Sequence, residues 1–281
     1  MLENLGRASK NKAGPTAVEE RLVSILGASG EKALNDIRDE AAGLAPLMGL
    51  LDNEEVLRSL IGALLGTYTK GHLKTRDGQM MAQGTPVDNE RMARFELLAA
   101  YLRSAVLPTI ADKVQAGKAR HNAAFIESYF SNYVEGTKFD IDEAREIVLN
   151  NKIVASRPAD SHDVVGVFRL ATTSPFRDSP PTMGSEFLTR LEVWHEDMLR
   201  MRPEAKPGQT KLEMNYAGNT AFVVPSMVRG TLEAGSELAK SVPEGLARAI
   251  YYAFLVSEVH PFEDGNGRLS RLVMNAELSR F

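Results

Sequence analysis

His260-Pro261-Phe262-Glu263-Asp264-Gly265-Asn266-Gly267-Arg268-Leu269-Ser270-Arg271 gathers one base, a carboxylate pair, a glycine-flanked turn and two arginines into a single short run. Ahead of it, Leu246, Ile250 and Phe254 recur at i, i+4 and i+8, which predicts one buried face of a helix. Gly265 and Gly267 interrupt regular backbone. Leu269, Leu272, Val273 and Ala276 then restore a helical period. The stretch therefore reads as helix, turn, and the N-terminus of a second helix.

That arrangement suits a phosphate. A helix N-terminus offers unpaired N–H groups and the positive end of the dipole, and glycines let successive amides face one concavity. Arg268 and Arg271 are three apart, so their side chains rise from one helix face, and guanidinium forks match phosphate oxygens. Asp264 supplies an oxygen for a magnesium ion accompanying a nucleotide. His260 can accept a proton near neutral pH. Together these are the parts for passing a phosphoryl-type group to a hydroxyl.

The run also matches, at every fixed position, the signature His-Pro-Phe-x-Asp/Glu-Gly-Asn-Gly/Lys-Arg-x-x-Arg of the Fic (Fido) family, and the chain resembles that family from about Phe125 to Arg271. The resemblance implies a mostly α fold with a β-hairpin flap over the active site, and a protein adenylyltransferase. Such an enzyme moves AMP from ATP to a Ser, Thr or Tyr hydroxyl of a target protein. By that resemblance, His260 takes the hydroxyl proton and Asp264 holds Mg2+. Gly265, Asn266 and Gly267 hold phosphate oxygens through their amides, with the Asn266 side chain assisting. Arg268 binds the inner phosphates and Arg271 the γ-phosphate. Glycine at 267 leaves room for a nucleoside triphosphate.

Ser131-Asn132-Tyr133-Val134-Glu135-Gly136 fits the Ser/Thr-x-x-x-Glu-Gly/Asn motif of Fic proteins that carry an inhibitory helix before the catalytic core. Ser131 and Glu135 share a helix face, and Gly136 can end that helix. The resemblance implies that Glu135 pairs with Arg271 and competes there with the γ-phosphate. Farther on, Thr210–Asn215 and Thr220–Val224 carry β-formers joined by Tyr216-Ala217-Gly218-Asn219, a hairpin signal closed by Pro225. The family's flap lies at this place in the order. It would dock an extended target segment by strand pairing, through Lys211, Leu212, Met214, Thr220 and Phe222.

The remaining chain bounds the reading. At 281 residues, 43% hydrophobic and 25% charged, it is typical of globular proteins. The net charge of −4 gives no basic field for nucleic acid. Zero cysteines exclude disulfides, thiolate catalysis and cysteine–zinc sites and fit a reducing compartment, so a cytoplasmic location is expected. No apolar run approaches the ~20 residues of a membrane span. Residues 1–16, with Arg7, Lys10 and Lys12, read as a flexible arm, and 17–120 as an N-terminal helical region. Residues 121–281 read as the Fic domain: inhibitory helix near 123–136, flap near 210–224, loop 260–271.

Within 17–70, short helices are expected, punctuated by Gly27, Gly30, Gly43, Pro46 and Gly49. Lys74–Glu90 reads as a long loop or a boundary, and Met92–Val114 as a helix with Phe95, Leu98, Tyr101, Leu102 and Ala105 on one side. Asp140–Glu143 reads as a capping box, and His162 and His195 as capping or packing residues. The chain stops ten residues past Arg271, where the family continues with helices, so truncation at that end is expected. Two other readings stay open: the same site removing AMP, with Glu135 positioning water, and an interaction module with a vestigial site. Transfer of another nucleotide, self-modification and homo-oligomerisation are not separated by sequence.

Overall fold

The computed structural model describes residues 1–7, 14–68, 70–84, 86–109 and 117–280. It is mostly helical, with one small antiparallel hairpin, and divides into two compact units, Met1–Asp88 and Asn89–Phe281. Among the described residues no helix is long and apolar enough to cross a membrane.

The first unit holds α1 (Leu2–Leu5), α2 (Pro15–Met48), α3 (Leu51–Leu64), a 3-10 turn at Lys70–His72, and α4 (Arg76–Ala82). The sequence pattern misleads here in three places. Where a loose arm was expected, α1 buries Leu2 and Leu5, and Asn53 Nδ2 donates to the Leu2 carbonyl (2.9 Å); residues 8–13 of that arm, with Lys10 and Lys12, lie outside the described residues.

Where several short helices were expected, α2 runs unbroken through Gly27, Gly30, Gly43 and Pro46 to Gly49. A glycine costs a helix about 1 kcal/mol against alanine. Burial of Val18, Leu22, Val23, Leu34, Ala41 and Ala45 offsets that several times over. Lys74–Glu90, read as a long loop or a boundary, holds the division between the two units after Asp88, but it is not all loop: it contains α4, whose N-cap Thr75 accepts from the Gly78 amide through Oγ1. The buried Glu19 carboxylate accepts from the amides of Lys74 and Thr75 and so fixes the approach to α4.

The second unit comprises α5 (Asn89–Ser104), α6 (Gly117–Val134), α7 (Ile141–Asn150), α8 (Pro158–Thr172), α9 (Phe187–Leu199), β1 (Tyr216–Ala217), β2 (Thr220–Ala221), α10 (Val228–Leu238), α11 (Leu246–Val259) and α12 (Asn266–Leu278). α11 is the core helix. Its Tyr251, Tyr252, Leu255, Val256 and Val259 are buried, whereas Ile250 is exposed and Leu246 and Phe254 are only half-buried. The predicted face was thus rotated: counting aliphatic residues left out two tyrosines whose rings carry the packing. Phe95 meets Tyr251 edge-on, Phe187 stacks on Tyr252, and the Tyr251 hydroxyl donates to the Gly235 carbonyl (2.6 Å).

On α5, Tyr101 points outward; Arg91, Phe95, Ala99 and Leu102 form the buried face. The end of its expected run, residues 110–114, lies outside the described residues. Asp140 occupies the N-cap of α7 without a side-chain capping bond, so the helix is present and the capping box is not.

The hairpin is shorter than its sequence signal. Tyr216 pairs with Ala221 and Ala217 with Thr220, so the turn is only Gly218-Asn219. Tyr216 and Ala217, read as the connection, are strand residues. Thr210 and Lys211 pair elsewhere: Thr210 bridges to Phe262 and the Lys211 amide donates to the Pro261 carbonyl (2.9 Å). The base of the flap is therefore stitched to the loop after α11.

Candidate active site

α11 ends at His260, whose backbone is left-handed (φ 53, ψ 61). A side-chain-bearing residue there costs on the order of 1–3 kcal/mol and persists only when its surroundings hold it. They do so here from three sides. The His260 ring stacks on Phe222 (3.8 Å between centroids, 9° between planes), and its Nδ1 lies 3.3 Å from the Ser257 carbonyl. Asn215 Nδ2 reaches the His260 carbonyl (3.4 Å). A carbonyl can only accept, so Nδ1 carries the proton and Nε2 keeps a lone pair. Burial pushes the imidazole below its usual range. Nearby Lys211 pushes it further, and the Ser257 carbonyl, Glu135 and Asp264 oppose without reversing it. His260 is thus a neutral base at neutral pH.

The loop beyond it is clamped from within. The Asn266 side chain accepts from the Phe262 amide (2.9 Å) and donates to the Phe262 carbonyl (2.8 Å). The residue is buried, and the carbonyl oxygen and one N–H of its side chain are engaged in closing the loop on Phe262. Gly265 caps α12 at φ 78, a left-handed backbone that favours glycine, and a Cβ there would also displace the end of the Met198 side chain. The first intrahelical bond is from the Leu269 amide to the Gly265 carbonyl (2.9 Å), and no side chain caps the helix. The amides of Asn266, Gly267 and Arg268 precede that bond, as an anion site at a helix start requires.

Asp264 sits between arginines. Its Oδ1 accepts from the Gly265 amide (2.6 Å) and from Arg268 (3.0 Å), and its Oδ2 is 3.4 Å from Arg202. Burial drives this carboxyl upward, but Arg268, the Gly265 amide and Arg202 together outweigh it and hold it below the usual range. It is ionised, half-exposed, and its Oδ2 is only loosely engaged. That donor chemistry fits one ligand of a magnesium ion that takes its other oxygens from phosphates and water. Among the described residues no group of three or more His, Asp or Glu side chains forms a self-contained metal cage.

The two arginines part company. Arg268 is buried and paired with Asp163 and Asp264, and Asp163 is also bound by Arg202 (2.7 Å). Arg271 turns toward α6: its Nε donates to Ser131 Oγ (2.9 Å), and Nη2 to the Ser131 carbonyl (3.0 Å) and to Glu135 Oε1 (2.5 Å). Gly136, at φ 93, ends the segment just past Glu135. The Glu135 carboxylate also overhangs the start of α12: a Cβ on Gly267 would collide with Oε1.

Of the five residues assigned to target docking, Lys211 is turned inward. Its Nζ donates to Asn215 Oδ1 (2.6 Å) and reaches the Val259 carbonyl (3.4 Å), and burial, with Arg91, depresses it to about 8. Leu212 and Thr220 are exposed, Met214 is half-buried, and Phe222 packs on His260. Sequence reasoning passed over Asp163, Arg202 and Asn215, which anchor the loop, and Arg91, which donates to the Ala221 carbonyl of β2 (2.6 Å). None carries a local signal; each acts across more than forty residues of sequence or from outside a motif. His195 had a partial signal, a histidine beside an apolar helix face. It is fully buried, accepts from the Gly208 amide at Nδ1 (2.9 Å) and meets the Asp264 carbonyl through Nε2 (3.0 Å). Burial lowers it to about 4.

Comparison with known proteins agrees with this geometry. Residues 188–278, from α9 through α12, match the Fic/DOC family model. The chain is similar to the protein adenylyltransferase Fic of Aedes aegypti, 24% identical over 201 residues, or 69% of this chain and 40% of that protein. Similar proteins of the same name occur in Drosophila willistoni (24% over 174 residues) and Drosophila persimilis (25% over 175 residues), each covering 58% of this chain and 33% of the relative. The chain thus spans well under half the length of these relatives. The signature loop, folded around an open helix start, thus lies inside a segment, residues 188–278, that matches the Fic/DOC family.

Proposed function

We propose that this protein is an adenylyltransferase that moves AMP from ATP to a hydroxyl side chain of a protein. The observation that carries the reading is the pairing of a neutral His260, its Nε2 lone pair unspoken for, with the uncapped N-terminus of α12 in one loop. The names of the similar proteins agree with it. The target hydroxyl oxygen attacks the α-phosphorus, its proton passes to His260 Nε2, and the bond from that phosphorus to the bridging oxygen breaks to release pyrophosphate. The amides at the start of α12 and the guanidiniums of Arg268 and Arg271 stabilise charge on the phosphate oxygens. Asp264 would hold Mg2+, whose charge neutralises the departing phosphates.

The Glu135–Arg271 pair supports a second part of the reading, autoinhibition. A carboxylate on the guanidinium that would take the γ-phosphate competes for the same fork, and it stands over Gly267 as well. A nucleotide entering past it would sit with its α-phosphate out of line.

The test is incubation of the Glu135→Gly variant with Mg2+ and ATP labelled at either the α- or the γ-phosphate. Protein-bound label from the α position only is expected. Label from the γ position, or none from either, overturns the reading; release of AMP from a pre-modified protein instead would assign the site to removal.

A further inference from the structure

The His195 imidazole is held with opposite polarity at its two nitrogens. The Gly208 amide can only donate, so Nδ1 carries the lone pair; Nε2 therefore carries the proton, and the Asp264 carbonyl accepts it. Its ring lies flat on Phe262, 3.9 Å away with 3° between planes. Two sites of the loop, the Phe262 ring and the Asp264 carbonyl, are thus seated on one side chain from α9. The same side chain grips the turn at Gly208, two residues before the flap strand pairs with the loop.

We propose that His195 is a positioning residue of the active site: by holding the Asp264 peptide it aims the Asp264 carboxylate and the open amides of α12, and it ties them to the base of the flap. The proposal rests on the reading of Asp264 as the magnesium ligand. A packing role alone would ask only for a flat ring of this size. The geometry asks for more, because turning the 264–265 peptide would move the Gly265 amide off Asp264 Oδ1 and leave the carboxylate aimed by Arg268 and Arg202 alone. Groups that orient a metal ligand typically change metal affinity or activity by about 10–100-fold when removed.

Three variants in a Glu135→Gly background separate the roles. His195→Phe keeps the stacked ring and loses both hydrogen bonds. His195→Asn keeps an acceptor for the Gly208 amide but is too short to reach the Asp264 carbonyl. His195→Gln restores a donor at the place of Nε2. Binding of a non-hydrolysable ATP analogue is measured by calorimetry with Mg2+ and with EDTA. The Phe and Asn variants are expected to lose about 10–100-fold in affinity with Mg2+ and nothing in EDTA, and Gln to recover most of the loss. If Phe lacks a thermal unfolding transition, the contrast of Asn with Gln carries the test.

Equal affinity in all variants, or equal loss with and without Mg2+, overturns the proposal. If the parent binds no Mg2+-nucleotide, the adenylyltransferase reading falls on its own. The positioning claim is then decided by 15N spectra, in which His195 is expected as the Nε2–H tautomer and the Gly265 amide signal is expected to shift in Asn but not in Gln. An unshifted Gly265 signal in Asn also overturns it.

Discussion

The two flanks of α12 bind its two arginines in opposite ways. On the side of α8 and α9, Arg268 is buried against Asp163 and Asp264, Arg202 joins the same cluster, and His195 holds the Asp264 peptide. On the side of α6, Arg271 is partly exposed and meets Ser131 and the half-exposed Glu135. The first flank is a fixed polar network whose members have few alternatives once folded. The second is a more open set of contacts, three hydrogen bonds from Arg271 to Ser131 and Glu135, of which the proposed function would have an incoming phosphate replace the one to Glu135. One helix thus carries a frame on one side and an exchangeable contact on the other, and the difference is set by burial rather than by residue type.

The largest effect is expected where both flanks converge, at the base. His260→Ala should lower transfer by about 10²–10⁴-fold, the usual worth of a positioned general base. Calorimetric affinity for ATP should be unchanged, because the phosphate-facing amides and arginines remain. Wild-type rates in the variant would remove His260 from the reaction.

Next comes the frame. Asp163→Ala leaves two guanidiniums sharing one fewer carboxylate in a buried setting, and losing one partner of a buried pair costs about 3–5 kcal/mol. Chemical denaturation should show that loss. Glu135→Gly, on the exchangeable flank, should cost at most about 1 kcal/mol, as exposed pairs do. Similar losses for both would erase the distinction between the flanks.

How the sequence was legible follows the same divide. His260 to Arg271 is a contiguous run, so its turn and helix start could be read directly, and Ser131 with Glu135 showed a helix face, but the spacing of Arg268 and Arg271 suggested one shared face where the structure sends them to opposite flanks. Asp163 and Arg202 could not be read, because their meaning lies in partners far along the chain. The structural part of Asn266 was not legible for a related reason: an amide in such a run looks like a ligand, and its bonds to Phe262, which close the loop, appear only in the fold. In the fold, the unbroken α2 and the rotated face of α11 are cases where burial outweighed local punctuation and simple aliphatic counting. The flap was found but mis-registered, since Thr210 and Lys211 pair with the loop rather than with β2.

The exchangeable flank should respond to charge. Glu135→Gly is expected to raise the initial rate of label incorporation by on the order of 10²-fold, the cost of a misplaced reacting atom now relieved. Glu135→Gln keeps the size and drops the charge-assisted pair, so its rate should fall between the two. Equal rates for wild type, Gln and Gly at matched ATP would make the segment from Ser131 to Gly136 an ordinary helix end.

The smallest effect is the position of the acid limb of the rate profile, and it sets the two sides of the site against each other. His260 works as a base only when neutral, and burial already holds it below its ordinary range, so transfer should be level through neutral pH and fall as pH drops through that lowered value. Three charges act on it, Lys211 in one sense and Glu135 and Asp264 in the other. Lys211, buried at the foot of the flap, pushes it down; Glu135 pulls it up. Lys211→Met should therefore move the acid limb to higher pH, and Glu135→Gly should move it to lower pH while raising the plateau. Lys211 itself is depressed to about 8, so its push is present at the pH of the acid limb and fades only in alkaline solution. Rates of both variants measured from mildly acidic to neutral pH decide the matter. Limbs displaced in the same direction would mean that the flap lysine and the α6 carboxylate do not act in opposite senses on one imidazole, and that His260 is tuned by burial, the Ser257 carbonyl and Asp264 instead.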